Sequence, residues 1–106
     1  MNKLDFSVFI ENTWEVCTDG EIVIHIKKPS QKQLTILNGY DVKLKKAKNL
    51  EERLKVLNEV AVFILNNNKE DVKYEPEFLE NKPIDVLYAI YYGYQGFITE
   101  VMSNPN

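Results

Sequence analysis

Residues 13–30 read Thr13-Trp14-Glu15-Val16-Cys17-Thr18-Asp19-Gly20-Glu21-Ile22-Val23-Ile24-His25-Ile26-Lys27-Lys28-Pro29-Ser30, and this stretch decides the fold. Two short apolar runs, 13–17 and 21–26, flank Asp19-Gly20, a pair that tolerates the positive φ of two-residue hairpin turns. The stretch therefore predicts a β-hairpin with its turn at Asp19-Gly20. In the second run Ile22, Ile24 and Ile26 alternate with Val23, His25 and Lys27. One face should be buried and the other should carry His25 outward or into a partner. Pro29-Ser30 then closes the β region, and Ser30 with Gln33 has the spacing of a capping box, where each side chain satisfies an orphan backbone N–H at a helix start.

Upstream of the hairpin, Phe6, Val8 and Ile10 also alternate, which suggests a third strand. Downstream, Leu34, Leu37, Val42 and Leu44 form a rough apolar stripe, with Gly39 a weak point where the helix is expected to end or bend. Asn49 followed by Glu52 marks a second helix start. Leu50, Leu54, Leu57, Ala61, Ile64 and Leu65 then keep helical spacing up to Asn66-Asn67-Asn68, and Leu54, Leu57, Ala61 and Ile64 are expected in the core. Residues 60–65 are apolar all round, which implies burial on more than one side. Pro76 opens a short turn through Leu79, and Asn81-Lys82-Pro83 separates it from a last helical segment beginning at Ile84 and ending at Ser103-Asn104-Pro105-Asn106. The expected fold is α+β, predominantly α: an N-terminal β-hairpin followed by a bundle of about three helices. It is read as one domain over 1–106, with 1–28 the β-hairpin region and 30–106 the helical region.

Composition narrows the function. The chain has 106 residues, 44% hydrophobic and 27% charged, which fits one globular core and leaves nothing for a separate substrate-binding lobe. The net charge is -3, and it is uneven: residues 1–53 hold nine Lys/Arg against eight Asp/Glu, and residues 54–106 hold four against eight. An acidic chain argues against nucleic acid as a partner, since phosphate must be neutralised by clustered cations. The run Lys43, Lys45, Lys46, Lys48 lacks interleaved Gly and aromatics and reads as a solvated helix face. A single Cys17 forms no internal disulfide, and no stretch approaches the ~20 apolar residues of a membrane span. A cytoplasmic setting, with no membrane partner, is the expectation.

Catalytic chemistry has little to work with. His25 is the only histidine and Cys17 the only cysteine, so a nucleophile and base pair would have to be these two across the hairpin, with no third orienting group. They are also too few for a usual zinc site. Glu51-Glu52 and Glu70-Asp71 are adjacent pairs, which diverge on a helix. Gly93 and Gly96 follow an aromatic helical run without a Lys-Ser/Thr, so close helix packing or bending explains them better than a phosphate loop. No enzyme activity, metal or cofactor is expected.

The least ordinary feature is Tyr88, Tyr91, Tyr92, Tyr94 and Phe97, five large rings within ten residues. Leu87, Tyr91, Tyr94, Ile98 and Val101 share one helical face, while Tyr88, Tyr92 and Phe97 carry apolar character around the side. Core packing accounts for part of this set. The remainder is expected to form a protein-interaction surface, because Tyr brings large contact area at low entropy cost. Tyr91, Tyr92, Tyr94 and Phe97 are expected to divide between core and interface, with self-association or a partner contact using at least two of these four.

The order of parts resembles the tail assembly chaperones of long-tailed, siphovirus-type phages and prophages. The resemblance lies in a strand pair leading into Ile26-Lys27-Lys28-Pro29-Ser30-Gln31-Lys32-Gln33-Leu34, and in a middle helix ending Ala61-Val62-Phe63-Ile64-Leu65-Asn66. It extends to an acidic turn Pro76-Glu77-Phe78-Leu79 and a close through Tyr94-Gln95-Gly96-Phe97-Ile98 and Asn104-Pro105-Asn106. It covers most of the chain in layout but carries no strict motif. It implies a non-enzymatic chaperone that coats the tape measure protein before the tail tube polymerises. The implied partners are the tape measure protein and, for any frameshifted longer form, the tail tube protein, within a bacterial host cell; a homo-oligomer is expected from the aromatic helix and not from the resemblance. The runner-up is a small head-tail connector or another morphogenesis component that stays in the finished particle.

Overall fold

A computed structural model describes residues 3–10 and 12–103. The hairpin forms from β1 (Thr13–Asp19) and β2 (Ile22–Lys27), antiparallel, with Trp14 opposite Ile26, Val16 opposite Ile24 and Glu15 opposite His25. The alternation sets the two faces. Ile24 and Ile26 are buried with Trp14 and Val16 packed on the core, while Ile22, next to the turn, runs off the helical layer and stays 53% exposed. The turn residues are Gly20 and Glu21, one position later than the sequence pattern suggests. Asp19 still pairs with Ile22 after a register shift beyond Cys17, and only Gly20 takes a positive φ, +61°. The Glu21 N–H closes onto the Asp19 carbonyl, a three-residue turn whose centre favours glycine.

Helix α1 (Gln31–Lys46) starts with the expected capping box: Gln33 N–H donates to Ser30 Oγ at 3.1 Å and Ser30 N–H to Gln33 Oε1 at 2.9 Å. It runs through Gly39 without a break, and Leu44 is its only fully buried residue. One glycine costs about 1 kcal/mol of propensity, too little to end a helix capped at one end and carrying Lys43, Lys45 and Lys46 at its negative end. Helix α2 (Leu50–Leu65) is capped by Asn49, whose Oδ1 accepts from Glu52 N–H at 2.9 Å. It is the centre of the core: Leu57, Val60, Ala61, Ile64 and Leu65 are at most 1% exposed, and Leu54 is half-buried. The short α3 (Glu77–Glu80) sets Leu79 against the core, and α4 (Ile84–Ser103) packs along α2. The expected close at Asn104-Pro105-Asn106 lies outside the described residues. The fold is α+β and mainly α, with the N-terminal hairpin leading into the helices.

No third strand forms at Phe6, Val8 and Ile10. Phe6–Phe9 is a 3-10 turn, because the Asp5 carboxylate accepts from both the Ser7 N–H (3.0 Å) and the Ser7 hydroxyl (2.7 Å) and so curls the chain. The free edge of β2 is taken instead by the segment after α2. Lys27 N–H donates to the Asn67 carbonyl (2.8 Å), Lys69 N–H donates to the His25 carbonyl (2.9 Å), and Ile26 bridges Asn68.

Candidate interaction surface

The asparagines after α2 hold the hairpin and the helices in one frame, each by a different pairing. Asn66 donates to the Tyr74 carbonyl and accepts from the Tyr74 N–H. Asn67 donates to the Lys27 carbonyl and accepts from the Gln33 amide. Asn68, 1% exposed, donates to the Leu65 and Val72 carbonyls and accepts from the Val72 N–H, all within 2.9 Å. A primary amide both donates and accepts, so it can close a loop that lacks regular backbone pairing. Asp71 completes the loop at φ +58°, a region that Asp tolerates better than most residues.

On this frame α4 divides its aromatic residues. Tyr94 is buried: its hydroxyl donates to the Lys27 carbonyl at 2.6 Å, Trp14 lies 6.0 Å from its ring, and Phe97 stacks on it at 6.1 Å, half-buried. Tyr91 is also buried, donating to Asp41 Oδ1 of α1 at 2.8 Å. Burial pushes the Tyr91 phenol up to about 12, helped by the Asp41 carboxylate that accepts its proton. Burial alone raises Tyr94 to about 12, against a small opposing contribution from Asn67. Asp41 is correspondingly held below the usual carboxylate range, first by the Tyr91 hydroxyl and then by Lys45.

Tyr92 faces outward, and Tyr88 beside it packs half-buried against the core. Tyr92 is 55% exposed, stacks on Tyr88 at 6.0 Å and 10°, and meets Tyr91 edge-on at 5.2 Å. The half-buried Tyr88 hydroxyl accepts from Arg53 Nε of α2 at 3.2 Å, which raises the Arg53 guanidinium further above its ordinary value. Beside this pair Ile84, 46% exposed, belongs both to the tyrosine edge and to a groove of about 510 Å³ with Leu54, Asn58, Leu79 and Leu87. Leu54, Pro76, Leu79, Ile84 and Leu87 give the groove its apolar walls, Glu59 and Glu80 add carboxylates, and Asn58 lines it with an Nδ2 that donates to the Pro76 carbonyl and a buried Oδ1 that has no partner. The groove adjoins the ridge Ile84, Tyr88, Tyr92, with Lys55 and Lys82 at its rim. Of the five aromatic residues singled out in the sequence, Tyr88 and Tyr92 lie on this ridge, Tyr91 and Tyr94 are buried and Phe97 is half-buried. The groove went unseen because its walls come from α2 and α3 as well as α4.

Gly93 explains how the hairpin reaches α4. A methyl group at this position would stand 2.5 Å from Trp14 Cζ2, so the indole lies directly on the helix backbone. Gly96 has open space around it.

The residues considered for catalysis are not brought together. Cys17 Sγ donates to the Gly20 carbonyl at 3.1 Å. His25 instead faces Glu70, which accepts the His25 N–H at 2.9 Å and sits 2.6 Å from ring Nδ1, with Glu15 at 3.6 Å from Nε2. Glu70 is lowered from its ordinary value mainly by the His25 backbone N–H and then by the ring. Among the described residues no group of three or more His, Cys, Asp and Glu is arranged to hold a metal ion, and no helix is long and apolar enough to cross a membrane. Compared with protein-family models, with curated proteins and with solved structures, the chain matches none.

Proposed function

We propose that the chain is a non-enzymatic tail assembly chaperone of the long-tailed phage type, which covers part of the tape measure protein during tail morphogenesis. The observation that carries this reading is the exposed Tyr92, stacked on the half-buried Tyr88, beside a groove whose apolar walls are Leu54, Leu79, Ile84 and Leu87. An apolar groove edged by aromatics takes the apolar face of an amphipathic helix, and a long helical partner supplies many such faces. Tyr92 adds contact area that the chain's own core leaves uncovered. A hairpin leading into a capped helix, with an acidic turn before an aromatic final helix, is also the layout of that family.

The test is co-expression with the products of the neighbouring genes, followed by capture on the tagged chain. The tape measure protein should be retained, and Tyr92→Ala should weaken capture by about 1–3 kcal/mol with an unchanged melting temperature. Tyr94→Ala should instead lower stability by about 3–5 kcal/mol, because it opens a buried cavity. Capture of no tape measure protein, with the chain present in purified virions, would favour the head-tail connector. If Tyr92→Ala lowers stability and leaves capture intact, the ridge belongs to the core and the binding face lies elsewhere.

A further inference from the structure

The segment ahead of the hairpin has almost no place in this chain's own core. Leu4, Phe6, Val8 and Ile10 are 69%, 75%, 51% and 63% exposed. Only Phe9 turns inward, to the mouth of a groove with Pro29, Leu34, Ile98 and Met102. Leu34 and Ile98 also line a second groove between α1 and α4, which reaches Tyr91 and Tyr94 and has Asn38, Asp41 and Gln95 among its walls, so the two join at Leu34 and Ile98 into one channel, apolar at the Met102 end and edged with polar groups at the Tyr91 end. Met102 and Leu34, along its walls, remain 71% and 38% exposed. An apolar arm and a channel with an exposed apolar end thus stand side by side in one chain, and Phe9 alone of the arm reaches it.

Their dimensions agree. From Met102 back to Tyr91 the channel follows eleven residue steps of α4, about 16 Å at the helical rise. Residues 4–10 make six steps, at most about 20 Å once the 3-10 turn at Phe6–Phe9 opens into an extended arm. The whole surface points the same way: it measures 7595 Å², against about 6,100 Å² for a compact monomer of 12.4 kDa. The exposed Leu4, Phe6, Val8 and Ile10 of the arm contribute to that excess.

We propose that residues 4–10 of one copy dock in the α1/α4 channel of a second copy, and reciprocally, to give a two-fold arm-exchanged dimer. A two-fold contact suits this pairing because each chain supplies both halves of it, arm and channel. A chain that carries its own acceptor needs no foreign protein to cover its arm. The interface is separate from the Tyr88–Tyr92 ridge and does not depend on the tail-assembly reading.

Sedimentation velocity of the full chain across a wide concentration range, together with cross-linking, tests the proposal. The wild-type chain should sediment as a dimer at high concentration, and Phe6→Asp combined with Val8→Asp should weaken that dimer by about tenfold or more, as a charge placed in a desolvated contact does. Val42→Asp, at an exposed apolar site of α1 that lines neither groove, should leave it unchanged. In a Cys17→Ser background, a Val8→Cys preparation mixed with an Ile98→Cys preparation should form an interchain disulfide on oxidation. A wild-type chain that stays monomeric throughout overturns the proposal. So does a dimer indifferent to the arm substitutions, or a mixture that yields no interchain disulfide.

Discussion

Gly93 and Gly96 stand one turn apart on α4, yet adding a methyl group to each should have opposite effects. Gly93→Ala drives a methyl into the rigid Trp14 indole, so the overpacking cost of about 1–3 kcal/mol should exceed the roughly 1 kcal/mol of helix propensity recovered. Gly39→Ala and Gly96→Ala, with open space at both sites, should each stabilise the chain by about 0.5–1 kcal/mol. Thermal melts of the three variants check this, with Gly93→Ala melting below wild type and the other two above it. Asn68→Ala is the severe change at this scale. It removes from a buried position the partner of two carbonyls and one N–H, a loss of about 1–3 kcal/mol that denaturant unfolding should register. Asn66→Ala, exposed and pairing with Tyr74 alone, should cost less.

Between elements, His25 and Glu70 tie β2 to the loop after α2, and the tie responds to acid. Because the folded state lowers the Glu70 pKa, its contribution is complete above the ordinary carboxylate value of about 4.3 and is lost as pH falls through the lower folded value. Melting temperatures of wild type and Glu70→Gln should therefore differ at neutral pH and converge toward pH 3, with the variant showing the flatter decline. Local chemistry made much of the element level legible from sequence. The isoleucine alternation placed β2, the Ser30/Gln33 box and the Asn49 cap placed two helix starts, and the α2 spacing marked Leu57, Ala61 and Ile64 for burial. What escaped was long-range. Nothing near residues 66–70 signals that they will pair with a strand some forty positions earlier, and the alternation of Phe6, Val8 and Ile10 lost to the Asp5–Ser7 bonds.

At the scale of the whole molecule the radius of gyration is 15.0 Å, against about 13 Å for a compact chain of this length, so the core closes over only part of the apolar residues. The aromatic helix was legible as both core and surface. Which ring went where depended on the directions of α1 and the hairpin, since Asp41 captures Tyr91 and the Lys27 carbonyl captures Tyr94. These two phenols make the fold sensitive to base. Their raised folded values contribute stability below an ordinary tyrosine pKa of about 10, which is lost as pH rises toward about 12. Spectrophotometric titration of the six tyrosines should accordingly show Tyr91 and Tyr94 ionising last, together with unfolding, while Tyr91→Phe removes one of the late steps. The contact between Trp14 and Gly93 has an optical consequence as well. Trp14 is the only tryptophan, and its ring lies in the seam where the hairpin meets α4. Its fluorescence therefore reports on that seam alone, so a red shift of the emission that precedes the loss of helical circular dichroism would time the departure of the hairpin from an otherwise standing set of helices.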